Sequence, residues 1–305
     1  MTFRFGLAVI GTAMIALIAG CAPKGLRSPE RYARGLVIIL PGIEGRSPLN
    51  ARLARGLAEG GVPSAVEIYD WSFGAPVAGL LVNLADEPRN RRHARQIAQR
   101  IVDYQGAYPD RPVHLVGHSG GGGVAVYALE ALPTEKPVTS ALLLAPALSP
   151  QYDLRRALRR TRYGIWNFYS EHDVGFLRLG TAIFGTIDRE HASAAGAVGF
   201  EEPRSLGAEG KEIYRTKLRQ VRYTERMARS GHSGGHTGWA SPQFAREWLA
   251  PLLYSQMGAE PTFAVSQNGS SGPAMGGGSG PSELPGQEPP PNAPIGYSSR
   301  GAQNN

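Results

Sequence analysis

The stretch Gly117-His118-Ser119-Gly120-Gly121 sets one serine in a glycine-rich bend, between the apolar run VHLV and the helical pattern AVYALEAL. G-x-S-x-G directly after a strand and directly before a helix is the spacing of a serine nucleophile. The reason is steric. A strand turning sharply into a helix strains the middle residue, and side chains two positions to either side would strike neighbouring backbone. Glycine at 117 and 121 removes those side chains. The serine oxygen then stands above the sheet edge, and the helix N-terminus beneath it favours developing negative charge. A nucleophile further needs a base, an orienting acid and an oxyanion site. Later in the chain NFYSEHDVGF carries Glu171 and Asp173, with Asp153 upstream, and RSGHSGGHTGW carries His232 and His236.

Other chemistries fit less well. With 40 glycines in the chain, G-x-S-x-G arises readily by chance, so the flanking strand and helix carry the reading. A glycine-rich turn can cradle a phosphate, but GHSGGGG has neither the Walker lysine nor the G-x-G-x-x-G spacing. His232 and His236 at i, i+4 suggest zinc only on a helix, and the intervening Ser-Gly-Gly argues against one. Cys21 is the single cysteine, which excludes an intramolecular disulfide and every multi-cysteine metal motif.

The elements that must position these groups alternate in type. Strands are expected in GLVIILPG (35–42), SAVEIYDW (64–71), VHLVG (113–117), VTSALLLAPA (138–147), GIWNFYSEHD (164–173) and KLRQVRYTERM (217–227). Helices are expected in 47–61, where Leu49, Leu53 and Leu57 share a face, in 88–105, after the serine, and in 241–254. The order predicts an α/β fold with a mostly parallel central sheet and helices on both faces. Runs such as VIIL and ALLLA are apolar on consecutive residues, as strands buried on both sides require. In open sheets of this kind ligands collect at the carboxyl ends of the strands, and every candidate polar group lies just past one.

PVHLVGHSGGGGVAVYALEAL resembles the nucleophile elbow of the α/β-hydrolase superfamily, lipases and esterases in particular. The likeness in element order extends over roughly residues 35–254. The resemblance implies the chain order serine, acid, histidine. It implies Asp173 as the acid, with Glu171 and Asp153 as competitors. It implies His236 as the base, a few residues before the closing helix, with His232 the competitor. His118 beside the serine is common in such elbows and is not the base there. The implied oxyanion donors are the N–H groups of Gly120 and of Ile43 in LPGIEGRS; many relatives carry His-Gly where this chain has Pro41-Gly42. The implied activity is hydrolysis of a carboxylic ester or lipid, with no metal or cofactor. An amidase, peptidase or acyltransferase would use the same residues, and a non-catalytic binding lipoprotein on this fold is the alternative of another class.

The two ends read differently. MTFRFGLAVIGTAMIALIAGCAPKG has one early charge, Arg4, and an apolar run too short for a membrane span. Ile18-Ala19-Gly20-Cys21 resembles the bacterial lipobox, which implies a signal peptide over 1–20, lipidation of Cys21 and a linker over 21–34. Two or more acyl chains, at about 0.8 kcal/mol per buried methylene, would hold the protein on a membrane. Ala22 implies outer-membrane sorting in a bacterial cell envelope. Residues 175–205 are expected to form a cap insertion, and 255–305, dominated by Gly, Pro, Ser and Asn, a disordered tail. The formal charge of +7 comes with arginine clusters at 89–100 and 153–162. Without aromatic interleaving or a nucleic-acid motif these read as solvated faces, and no nucleic acid is expected. Oligomeric state is not encoded in any of these features.

Overall fold

The computed structural model describes residues 25–72, 86–173, 186–188 and 194–257. The signal-like leader with Cys21, most of the 175–205 insertion and the tail from 258 lie outside the described residues. Among the described residues no helix is long and apolar enough to cross a membrane.

Among the described residues six strands form one sheet: β1 (Leu36–Leu40), β2 (Ala65–Ile68), β3 (Val113–His118), β4 (Ser140–Leu144), β5 (Ile165–Tyr169) and β6 (Leu218–Arg222). Their order is β2-β1-β3-β4-β5-β6 and every pairing is parallel. The sheet is thus wholly parallel where the sequence predicts mostly parallel. β1, β3 and β4 are buried along their whole lengths, which is why their sequences are apolar on consecutive residues. The order reverses between β1 and its two neighbours β2 and β3, the switch point beside which such sheets bind ligands.

Helices cover both faces. On one, α1 (Pro48–Glu59) packs against the closing helix, which runs Pro242–Phe244, a π turn Ala245–Leu249, and Ala250–Ser255. On the other, α2 (Glu87–Ala107) packs on α3 (Gly120–Ala131). Pro88 follows the Asp86 cap, whose carboxylate accepts the Arg89 N–H at 3.0 Å. α2 buries Ala94, Ile97, Ala98 and Ile101, the stripe its spacing predicts. Its arginines are partly neutralised within the fold, Arg91 by Glu87 and Glu130 and Arg100 by Glu67. This is an α/β fold, a parallel sheet with helices on both faces.

Some elements differ from expectation. Strand β6 stops at Arg222, and residues 225–227 of the predicted run belong instead to a 3-10 helix, Glu225–Ser230. The helix Ala208–Lys217 precedes β6 and buries only Gly210 and Tyr214, too sparse a stripe to read from periodicity. Residues 194–205, the described end of the expected cap, begin with a short buried helix, Ala195–Val198, tied into the sheet by Ser170 N–H to Gly196 O at 3.0 Å. In this part Ala195, Gly196 and Ala197 are buried, whereas Glu201, Glu202, Arg204 and Ser205 are exposed.

Candidate active site

Ser119 sits between β3 and α3 with φ 54° and ψ −124°, a region that L-residues enter only when the surroundings force them. Its N–H donates to Leu144 O at 2.9 Å, and its carbonyl accepts from Gly122 at 2.9 Å and Ala147 at 3.0 Å. The glycines are required by contact. A Cβ on Gly117 would lie 2.5 Å from Gly121 O, and one on Gly121 would lie 2.2 Å from both Leu40 O and Pro41 O. The elbow is thus locked against the end of β1, with Leu40 paired to Gly117 in register.

The loop after β5 brings Asp173 to the same edge, and the loop after β6 brings His236. Asp173 Oδ2 and His236 Nδ1 lie 2.6 Å apart, and both side chains are buried. Asp173 is held by a turn in which its N–H donates to Ser170 O at 3.1 Å. His236 opens a 3-10 helix, His236–Ala240, entered through Gly234 at φ 86°. The carboxylate beside Nδ1 fixes the tautomer that keeps the proton there and leaves Nε2 as the acceptor.

The competing residues are placed elsewhere. Glu171 pairs with Arg222 at the surface with 49% of its side chain exposed, and Asp153 forms a fork with Arg155. His232 is buried among aromatic rings, 3.9 Å edge-on from Trp239, and its Nδ1 accepts the Gly234 N–H at 3.0 Å. Burial lowers its pKa to about 4, so it is a neutral core histidine. Among the described residues no group of three His, Cys, Asp or Glu side chains is placed to hold a metal ion.

His118 proves to be part of the same framework. Its Nε2 lies 3.1 Å from the backbone carbonyl of His236, and the two rings lie 4.8 Å apart. A carbonyl only accepts, so Nε2 carries the hydrogen. Burial, with the neighbouring His236, pushes the His118 pKa down to about 3 and keeps the ring neutral. The residue before Ser119 is therefore hydrogen-bonded to the backbone of His236.

The loop after β1 closes the site. Ile43 and Gly120 are in contact: a Cβ added to Gly120 would meet Ile43 Cγ2 at 3.0 Å and Trp71 Cζ2 at 3.1 Å. Buried Trp71 pins this loop by donating Nε1–H to Pro41 O at 2.8 Å. The same loop brings Glu44 beside Ser119. A Cβ on Gly42 would lie 2.2 Å from Glu44 Oε2 and 3.2 Å from Ser119 Cβ, so carboxylate and serine flank one point. Asn50 Nδ2 donates to Glu44 Oε1 at 3.3 Å, while Asn50 Oδ1 accepts the Ser47 N–H at the start of α1. Lost hydration on its inner side raises the Glu44 pKa, while backbone N–H groups of Glu44 and Gly42, Asn50 and His236 oppose the rise. Trp71 and Glu44 carry no sequence signal; only the fold brings them to Ser119.

No protein-family model and no curated protein matches the sequence. Among solved structures, a dienelactone hydrolase-like promiscuous phosphotriesterase from metagenomic libraries is 16% identical, with a TM-score of 0.43 over 73% of this chain and 87% of that one. Lipase B of Aspergillus fumigatus is 14% identical, with a TM-score of 0.45 over 81% of this chain and 58% of that one. A cutinase-like protein from Cryptococcus sp. is 16% identical, with a TM-score of 0.37 over 74% and 95%. These likenesses carry no residue roles across, and the geometry of Ser119, His236 and Asp173 stands on its own.

Proposed function

We propose that this chain is a serine hydrolase that cleaves carboxylic esters, held at a membrane through lipidated Cys21. The buried 2.6 Å pair of Asp173 and His236, hydrogen-bonded through His118 to the strained elbow of Ser119, carries the reading. In this account His236 Nε2 takes the Ser119 proton as Oγ bonds to the ester carbonyl carbon. The N–H groups of Gly120 and Ile43 receive the oxyanion. Each such donor contributes about 2.7–4 kcal/mol to the transition state. The imidazolium returns its proton to the leaving alkoxide, and water, deprotonated in turn by His236, releases the acid from the acyl-enzyme. Asp173 stays ionised and stabilises the imidazolium. Amide hydrolysis or acyl transfer would run through the same groups: the leaving group distinguishes amide from ester cleavage, and what enters after acylation distinguishes hydrolysis from acyl transfer.

A panel of 4-nitrophenyl esters of increasing acyl length, run with the wild type and Ser119→Ala, tests the ester reading. Turnover confined to the wild type supports it; equal turnover by the variant contradicts it. The anchor is tested separately, since Cys21→Ser releases the protein from membranes if lipidation holds it, and unchanged retention argues against that.

A further inference from the structure

We propose that Glu44 sets the charge preference of the site, favouring esters that carry a cationic group near the scissile carbonyl; this rests on the serine hydrolase reading above. The oxyanion loop is an unusual place for a carboxylate, because negative charge there opposes the charge that develops on the carbonyl oxygen. Yet Glu44 Oε2 and Ser119 Cβ flank the same point beside Gly42. Its inner side rests against that loop, while the residue as a whole remains exposed and open to an incoming ligand. Asn50 is buried, fixed by the start of α1, and holds Oε1. The carboxylate is therefore aimed, not free to swing into solvent.

Arg46, Asp70 and Asp173, charged residues beside this loop and behind His236, hydrogen-bond to other partners. Arg46 donates its guanidinium to Ile68 O at 2.8 Å, and Asp70 accepts from the Arg46 N–H and from Ser72. Asp173 is buried behind His236 and faces its Nδ1. Among the described residues Glu44 is thus the carboxylate that a bound ester meets beside Ser119. Take a substrate cation that would come to about 5 Å from the Glu44 carboxylate as its carbonyl reaches the serine. At that range, and at an effective dielectric between those of protein and water, one unit charge changes the transition-state energy by about tenfold in rate. Because the same carboxylate opposes the oxyanion, the cation also cancels a cost that neutral esters bear. Selection therefore acts on kcat/KM and not on binding alone.

The experiment compares matched cationic and neutral isosteres on both sides of the ester. Butyrylcholine and 3,3-dimethylbutyl butyrate vary the alcohol. The 4-nitrophenyl esters of 4-trimethylammoniobutanoic and 5,5-dimethylhexanoic acid vary the acyl group. For at least one pair the wild type favours the cation, Glu44→Gln reduces that kcat/KM ratio by about tenfold, and Glu44→Lys reverses it. Glu59→Gln, the same charge change at an exposed site on α1, leaves the ratio as in the wild type. A ratio that Glu44→Gln leaves unchanged in both pairs overturns the inference. If the wild type turns over esters in that case, the hydrolase reading survives; if it turns over none and takes no fluorophosphonate label, both fall.

Discussion

The imidazole of His118 donates to the backbone carbonyl of His236 across 3.1 Å, joining two residues that are 118 positions apart in the chain. The residue next to Ser119 thus holds the backbone that carries the His236 ring. His118→Leu removes the donor and leaves a buried carbonyl without it, a loss of about 1–3 kcal/mol. We expect kcat to fall roughly ten- to a hundredfold with KM little changed, and His118→Gln, which keeps a donor, to recover part of it. Equal losses in Leu and Gln variants would assign His118 to packing alone.

The Asp173 carboxylate holds the His236 tautomer. Asp173→Asn presents either an amide N–H or a weaker acceptor to Nδ1, so the ring can turn its hydrogen toward Ser119. Loss of the orienting acid in such triads costs on the order of 10⁴ in kcat. Steady-state kinetics of Asp173→Asn beside Glu171→Gln and Asp153→Asn checks this. The account expects a large loss in the first variant alone.

Ser119 holds a backbone conformation that costs about 1–3 kcal/mol for a residue with a Cβ. Ser119→Ala keeps that strain and Ser119→Gly releases it, while glycine gives back about 0.5–1 kcal/mol of unfolded-state entropy. Denaturant titration should find the glycine variant more stable than the alanine variant by about 1 kcal/mol. The reverse order would mean that the elbow is unstrained.

Among the described residues, three of the buried histidines, His114, His118 and His232, make the fold acid-sensitive. Lost hydration lowers the pKa of His114 and His118 to about 3 and of His232 to about 4. The unfolded chain binds these protons near pH 6.5. Their stabilising contribution is therefore complete above about pH 6.5 and is lost as pH falls toward the folded values. Each histidine lowers stability by up to about 1.4 kcal/mol per pH unit within its window. His232→Phe fits the aromatic surroundings of Trp239 and Phe244 and removes one of the three protons. The slope of unfolding free energy between about pH 6.5 and 4 should decrease by about one proton. An unchanged slope would mean that His232 is protonated in the folded state.

Much of this arrangement is legible in the sequence because local and global signals agree. Runs such as LVIIL and SALLL are apolar enough to name buried parallel strands, and glycine at 117 and 121 names the elbow by contact geometry. What stays hidden depends on distant partners. His232 and His236 are both histidines in a glycine-rich loop, and only their surroundings, aromatic rings for one and Asp173 for the other, tell them apart. Glu171 and Asp173 differ by two residues, yet one turn buries the second and leaves the first to Arg222. The π turn in the closing helix has a local cause after the fact. Pro251 has no N–H for the carbonyl four residues earlier, and just before it Ala250 N–H reaches back five residues to Ala245 O. A proline inside a helical pattern marks a disturbance without saying which form it takes.

The central claim, that Ser119 is the nucleophile activated by His236, is tested most directly by treating the folded protein with a fluorophosphonate and mapping the adduct by mass spectrometry. The account predicts one phosphonyl group per chain on Ser119, none in Ser119→Ala, and much slower labelling in His236→Ala. No adduct on the intact protein, or one that persists in Ser119→Ala, would contradict it.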